Sequence, residues 1–116
     1  MLKVIVAGSR SFSDFGLLSE RLDFYLQHHQ AVEIVSGTAR GADRLGERYA
    51  SQRGLSVARF PADWSRFGRS AGYRRNEVMA GYASHAVIFW DGVSSGTAHM
   101  VRLAQQHGLV VRVVRF

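Results

Sequence analysis

Five short apolar runs recur along the chain, at Leu2–Ala7, Val32–Val35, Leu55–Phe60, His85–Trp90 and Leu109–Val114. Several are continuous rather than alternating, the pattern of strands buried on both faces of a parallel sheet. Between them the apolar period lengthens to that of helices. Phe15, Leu18, Leu22, Tyr25 and Leu26 fall on one face, with Ser13 or Asp14 as the N-cap. Ala42, Leu45, Tyr49 and Ala50 stripe a second helix over Ala42–Arg53, and Ala71–Tyr82 and Thr97–His107 supply a third and a fourth. Gly54 and Gly108 stand where C-terminal caps belong. The order βαβαβαβαβ predicts an α/β protein: one domain over residues 1–116, with an open parallel sheet between two helical layers. Ligands of such sheets bind outside the carboxyl ends of the strands, so the loops at those ends carry the functional question.

The most informative of these loops is Ser36–Gly37–Thr38–Ala39–Arg40–Gly41–Ala42–Asp43, between the second strand and the second helix. Its two glycines and small neighbours let backbone N–H groups approach a ligand, and the helix N-terminus behind them favours negative charge. Taken alone it reads equally as a phosphate seat or as an ordinary strand-to-helix turn. A second run of this kind, Ser94–Ser95–Gly96–Thr97, opens the last helix after Phe89–Trp90–Asp91. Two such seats at neighbouring strand ends point to a ligand with phosphate and ribose groups.

Other strand ends add side chains. Gly8–Ser9–Arg10 follow the first strand and offer a tight turn, a hydroxyl and a cation. Asp63–Trp64 follow the third; they suit a ribose hydroxyl and a base, or Trp64 simply covers the sheet edge. Gly72–Tyr73–Arg74–Arg75–Asn76 enter the third helix, where one arginine is expected to face the cleft and the other solvent. Asn76 has poor helix propensity, which suggests that its amide is wanted there.

Composition narrows the classes. There is no cysteine, so disulfides and thiolate–metal sites are excluded. The histidines show no metal-ligand spacing and no metal is expected; His99, on the first turn behind Gly96–Thr97, is the one nearest the seats. The GxGxxG fingerprint, a Walker motif and a nucleophile elbow are all missing, which argues against a standard nicotinamide dehydrogenase, a P-loop NTPase and a serine hydrolase, and no cofactor is expected. No apolar stretch approaches the roughly 20 residues that span a bilayer, and the N-terminal run reads as a strand rather than a signal peptide. A cytoplasmic protein without a membrane partner is the expectation. The net charge of +6 invites nucleic acid as a partner. Lys3 is the only lysine among 15 basic residues, so coding bias explains the arginine skew as readily as phosphate recognition does.

Taken in order, Gly8–Ser9–Arg10, Ser36 to Asp43, Pro61–Ala62–Asp63–Trp64, Ala71–Gly72 with Arg75–Asn76, and Ser95–Gly96–Thr97 resemble the small YspA-like, cpYpsA-related proteins of the SLOG superfamily. That Rossmann-like group includes DNA-processing protein A and the Lonely Guy enzymes. The resemblance implies a five-stranded sheet ordered 3-2-1-4-5, a nucleotide-type ligand in the cleft and a homo-oligomer. Lonely Guy enzymes hydrolyse the N-glycosidic bond of nucleoside monophosphates. Arg75 matches their arginine, Met79 a methionine and Gly96–Thr97 their GT pair, but their glutamate position is Met100. Asp91 and Glu77 are then the candidate acid/base residues if the chain is an enzyme, with Asp43 and Asp63 as further carboxylates. DNA-processing protein A shares the GSR triplet, the SG-x-ARG-x-D run and the RN pair, and binds single-stranded DNA.

Three functions follow from this reading. The first is a sensor or sequestering protein for a small nucleotide-derived ligand, held by Gly37 to Gly41, Ser95 to Thr97, Arg10 and Arg75, with Asp43 or Asp63 on a ribose hydroxyl and Trp64 beside the base. The second is a nucleotide-processing hydrolase. The third is single-stranded DNA binding.

Overall fold

The computed structural model describes all residues from Met1 to Phe116. Strands β1 (Leu2–Gly8), β2 (Val32–Ser36), β3 (Ser56–Arg59), β4 (His85–Trp90) and β5 (Val110–Arg115) form one parallel sheet in the order β3-β2-β1-β4-β5. Helices α1 (Phe15–Leu26) and α2 (Ala42–Arg53) cover one face; α4 (Ala71–Tyr82) and α5 (Ser95–Gln106) cover the other. The fold is the three-layer, Rossmann-like α/β/α sandwich expected. No helix is long and apolar enough to cross a membrane.

The continuous apolar strands are explained by the two cores. Val4 and Val6 of β1 face α1 and α2 with Ile34, Phe89, Leu18, Leu22 and Tyr49. Ile5 and Ala7 face α4 and α5 with Val35, Ile88, Met79, Met100 and Leu103. Successive side chains of one strand therefore enter opposite cores, and no polar alternation survives.

Local signals set the helix ends. Asp14 rather than Ser13 caps α1, its Oδ1 accepting from Leu17 N at 2.9 Å. Gly54 closes α2 in the left-handed conformation at φ 68°, and Gly108 lies one residue past the cap of α5 at φ 75°. Tyr49 Oη donates to Asp23 Oδ1 at 2.6 Å and ties α2 to α1.

One element was not expected. Trp64–Phe67 forms a single helical turn, α3, followed by a 3-10 turn at Gly68–Ser70. Asp63 caps it, accepting from Arg66 N at 3.1 Å and Ser65 Oγ at 2.8 Å. Four residues are too few to show an apolar period.

Close packing places α2. A Cβ on Gly46 would lie 2.7 Å from Val6 Cγ1 and 2.8 Å from Val6 Cβ, so the helix rests directly on the central strand. The first residue of α2, Ala42, is thereby fully buried against the end of β1. Gly46→Ala gains helix propensity of about 1 kcal/mol but overpacks an immobile strand, which costs roughly 1–3 kcal/mol. The variant is expected to be net destabilised by about 1 kcal/mol in urea unfolding with an unchanged m-value.

Candidate functional site

The N-termini of α2 and α5 open onto one cavity of about 620 Å³ at the carboxyl ends of β1 and β4. This is where the strand order reverses, since β2 and β3 lie to one side of β1 and β4 and β5 to the other. Neither helix is capped by a side chain at Gly41 or Ser94. Their first N–H groups are left for another acceptor, and the helix dipoles add positive potential.

Around α5, the hydroxyl of Ser94 is turned away to Asp91 Oδ2 at 2.9 Å. Ser95 and Gly96 are exposed on the cavity wall, and nothing lies within 4 Å of a Cβ built on Gly96. Thr97 is only 7 % exposed, lines the cavity and makes no side-chain hydrogen bond within the protein. Its hydroxyl is open to the cavity, where a ligand or water can engage it.

The loop before α2 is held open by its own backbone. Thr38 adopts φ 66° and Gly41 φ 88°. A side chain at Gly41 would run into the Ser9 carbonyl and the Arg10 backbone. Ser36 is fully buried; its hydroxyl donates to Glu47 Oε2 at 2.7 Å and accepts from Thr38 N at 3.0 Å. It shapes the loop and has nothing left for a ligand, contrary to its expected contact. Ala39 and Arg40 line the cavity, whereas Gly37 and Thr38 line a neighbouring one.

Asp43 is 4 % exposed, yet it is on the cavity wall. It accepts from Ala39 N at 3.3 Å, and the nearby Gly8 amide also favours the carboxylate. Burial pushes its carboxyl up to about 6, against the opposing pull of the Arg75 guanidinium and those two amides; Glu47 raises it further. Arg75, half-buried, donates from Nη1 to the Gly37 carbonyl and from Nε to Asn76 Oδ1 at 3.0 Å. Burial lowers its pKa, Asp43 opposes this, and Arg10 lowers it further. Arg74 is the solvent arginine, stacked over Phe67 and bonded to Ser70 Oγ at 3.0 Å.

Asn76 is wanted in its helix for a structural reason. Its amide lies between Arg75 and His99, with Nδ2 3.4 Å from His99 Nδ1. His99 packs edge-on to Tyr73, ring centres 4.5 Å apart, and its pKa is lowered first by burial and then by Arg102. Tyr73 and Trp64 are 46 % and 50 % exposed and both line the cavity. Met79 and Met100 also line the cavity.

Of the remaining expected residues, Ser9 stays on the cavity wall, whereas Asp91, Glu77 and Asp63 do not line it. Ser9 is buried and its Oγ accepts from Asp91 N at 3.2 Å, clamping the ends of β1 and β4 together at the cavity wall. Asp91 is not a usable acid or base: it accepts from Val93 N at 2.9 Å, Ser94 N at 2.8 Å and Ser94 Oγ. Those bonds hold its carboxyl down to about 2. Glu77 lies on the far side of α4 in a separate groove with Phe60 and Val78, and Asp63, the cap of α3, faces the same groove. Neither reaches the cavity. No three metal-ligating side chains converge anywhere in the chain.

Tyr73 and Arg69 were missed. Tyr73 stands three residues before Asn76 and six before Met79, so the helical period of the Ala71–Tyr82 run places it on their face. Arg69 sits in the unexpected 3-10 turn, and the only sequence signal for it is that it is one of the arginines in or beside the expected loops.

The fold and site together define a Rossmann-like protein with a glycine-loop cleft. Residues 2–67 match the YspA, cpYpsA-related SLOG family, and the chain belongs to that family. The Gene 61 protein of Mycobacterium phage D29 is 35 % identical over 118 residues, covering 96 % of this chain and 94 % of that one. DNA processing protein A of Streptococcus pneumoniae has the same fold, with a TM-score of 0.80 at 20 % identity. The likeness covers 100 % of this chain and 51 % of that one. DNA processing protein A of Helicobacter pylori, whose structure was described for its single-stranded DNA binding mode, gives 0.69 at 20 % identity. It is matched over 97 % of this chain and 64 % of that one. The chain thus spans about half of one solved relative and under two thirds of the other.

A raised carboxyl makes the folded state hold a proton that the unfolded state has released. Stability contributed by Asp43 is therefore present at about pH 4 and is lost as pH rises through about 6. Relative to wild type, Asp43→Asn should gain up to about 3 kcal/mol between pH 4 and pH 7, the two-unit shift converted to free energy. Urea unfolding at a series of pH values reads this; parallel curves for the two proteins would contradict it.

Proposed function

We propose that the protein binds a nucleotide or nucleotide-derived small ligand in this cleft and releases it unchanged, as a sensor or a sequestering protein. The observation that carries the reading is the unpartnered Thr97 hydroxyl at the uncapped N-terminus of α5, facing the same cavity as the N-terminus of α2. A phosphate there accepts from the N–H groups of Ser95 to Thr97 and from Thr97 Oγ1, while Arg10 and Arg75 offset its charge. The N-terminus of α2, with Ala39, Arg40 and Gly41, adds positive potential from the other side. Asp43 is the one carboxylate on the wall and accepts from a ligand hydroxyl; Trp64 or Tyr73 offers a face to the base.

Binding without turnover is favoured over N-glycosidic hydrolysis by the floor of the cleft. Met100 stands where the Lonely Guy enzymes place a glutamate, and Asp91 and Glu77 do not reach the cavity. Asp43, the one carboxylate on the wall, is tied to the Ala39 amide and faces Arg75, so the glutamate of those enzymes has no counterpart at its own position.

Single-stranded DNA is the second reading, supported by the fold shared with DNA processing protein A and by the exposed arginines Arg10, Arg40 and Arg69 on the cavity wall. Under it, affinity grows with strand length and falls steeply with salt.

Ligand at 100 times its dissociation constant should stabilise the protein by about 2.7 kcal/mol, several degrees in melting temperature for a domain of this size. Nucleoside monophosphates, ADP-ribose and NAD are the ligands to screen. Thr97→Val keeps the shape and removes only the unpartnered hydroxyl, so it should fold as wild type and bind the best ligand about tenfold more weakly. Undiminished binding by that variant would remove the α5 seat from the account.

A further inference from the structure

The cleft continues past its own rim. A second cavity of about 550 Å³ adjoins the first, and Arg10, Ala39, Arg40, Trp64 and Arg75 line both. Beyond that common wall the second cavity is bounded by Thr38, Arg44 and Pro61, among others. Four arginines line it and no carboxylate does. None of the four is in an ion pair; the two ion pairs of the chain are Arg53–Asp23 and Arg59–Glu47. Arg44 spends only Nε, on the Thr38 carbonyl at 3.4 Å, and its two terminal nitrogens are free.

The two cavities differ in how they meet an anion. The first offers backbone N–H groups, the Thr97 hydroxyl and the side chains of Met79 and Met100, which suit one phosphate and apolar ligand surface. The second lacks the α5 N-terminus, Thr97 and the methionines and adds Arg44 to the arginines of the common wall, which suits a phosphate held by guanidinium side chains at the edge of solvent. Four like charges around one hollow repel one another, and an anion between them relieves that repulsion. Trp64, on the common wall, is half exposed and presents an aromatic face midway.

We propose that the site takes nucleotides carrying two separated phosphate groups, one seated at the N-terminus of α5 and the other held by Arg10, Arg40 and Arg44, with the nucleoside crossing the common wall beside Trp64. This rests on the nucleotide reading and specifies its ligand. Nucleoside 3′,5′-bisphosphates and short linear dinucleotides have this chemistry, as does one internal unit of a single strand.

Calorimetric titration with the four nucleoside 5′-monophosphates, the matching 5′-diphosphates and the matching 3′,5′-bisphosphates tests it. For the preferred base, the bisphosphate should bind about tenfold tighter than the monophosphate. The 5′-diphosphate carries the added charge at the wrong end and should gain less. Arg44 lines only the second cavity, so Arg44→Ala should weaken the bisphosphate about fivefold and leave the monophosphate within about twofold. Monophosphate binding with no further gain from the 3′-phosphate would overturn the inference alone, as would an equal loss for both ligands in the variant. No binding by any of the twelve compounds would overturn the nucleotide reading and the inference with it. A single-stranded decamer that binds tighter than the bisphosphate, with a steeper salt dependence, supports the two-phosphate site and assigns its source to a strand; one that binds no tighter assigns it to a free nucleotide.

Discussion

At the end of β2 the backbone must pass between a buried carboxylate and a half-buried guanidinium. A Cβ on Gly37 would lie 2.6 Å from Arg75 Nη1 and 2.7 Å from Asp43 Oδ2, so a side chain there would push both groups aside. With glycine in place, Arg75 reaches the Gly37 carbonyl, and its charge opposes the burial of Asp43. Asp43 in turn accepts from the Ala39 amide, holding the loop after β2 against the start of α2. From the other side of Arg75 the chain of contacts runs through Asn76 to His99 and Tyr73. One cation thus links β2, α2, α4 and α5 around the same hollow, and it lines that hollow itself.

The position of the cleft follows from topology. In a parallel sheet each helix begins at the carboxyl edge, so helix N-termini gather there. The chain crosses to the other side of β1 at β4, which separates the loops after β1 and β4 and leaves a hollow between them. Ser9 and Asp91 brace that split, the first by bonding to the backbone of the second, the second by fastening the entrance to α5. Their polar atoms hold the opening; those of Ser95 to Thr97 face into it.

Much of this was legible in the sequence, because the two cores impose two periods that the apolar residues display. Ala71–Tyr82 and His85–Trp90 appear with the bounds that periodicity gave them, and α5 begins two residues before its expected start. The glycine loops were legible for a different reason: glycine is needed where backbones approach closely, as at Gly8 and Gly41. What could not be read was which carboxylates were already spoken for. Asp63, Asp91 and Asp43 look alike as letters. One caps a turn, one is fastened to its own loop, and one is buried on the cavity wall. Hydrogen-bond partners three or four residues away, or from another strand, decide this, and side-chain identity alone does not encode them. The turn at Trp64–Phe67 was hidden by its brevity, and Arg69 with it.

The central claim is that phosphate is held by backbone amides at the start of α5 and before α2. Amide-resolved NMR titration of the protein with the preferred nucleoside monophosphate tests it most directly. The account predicts saturable shifts that are largest at Ser95, Gly96 and Thr97, followed by Ala39 to Asp43, and small along β5 and the outer face of α1. Shifts centred on the groove beside Glu77 and Val78, or spread evenly over the exposed arginines, would contradict it.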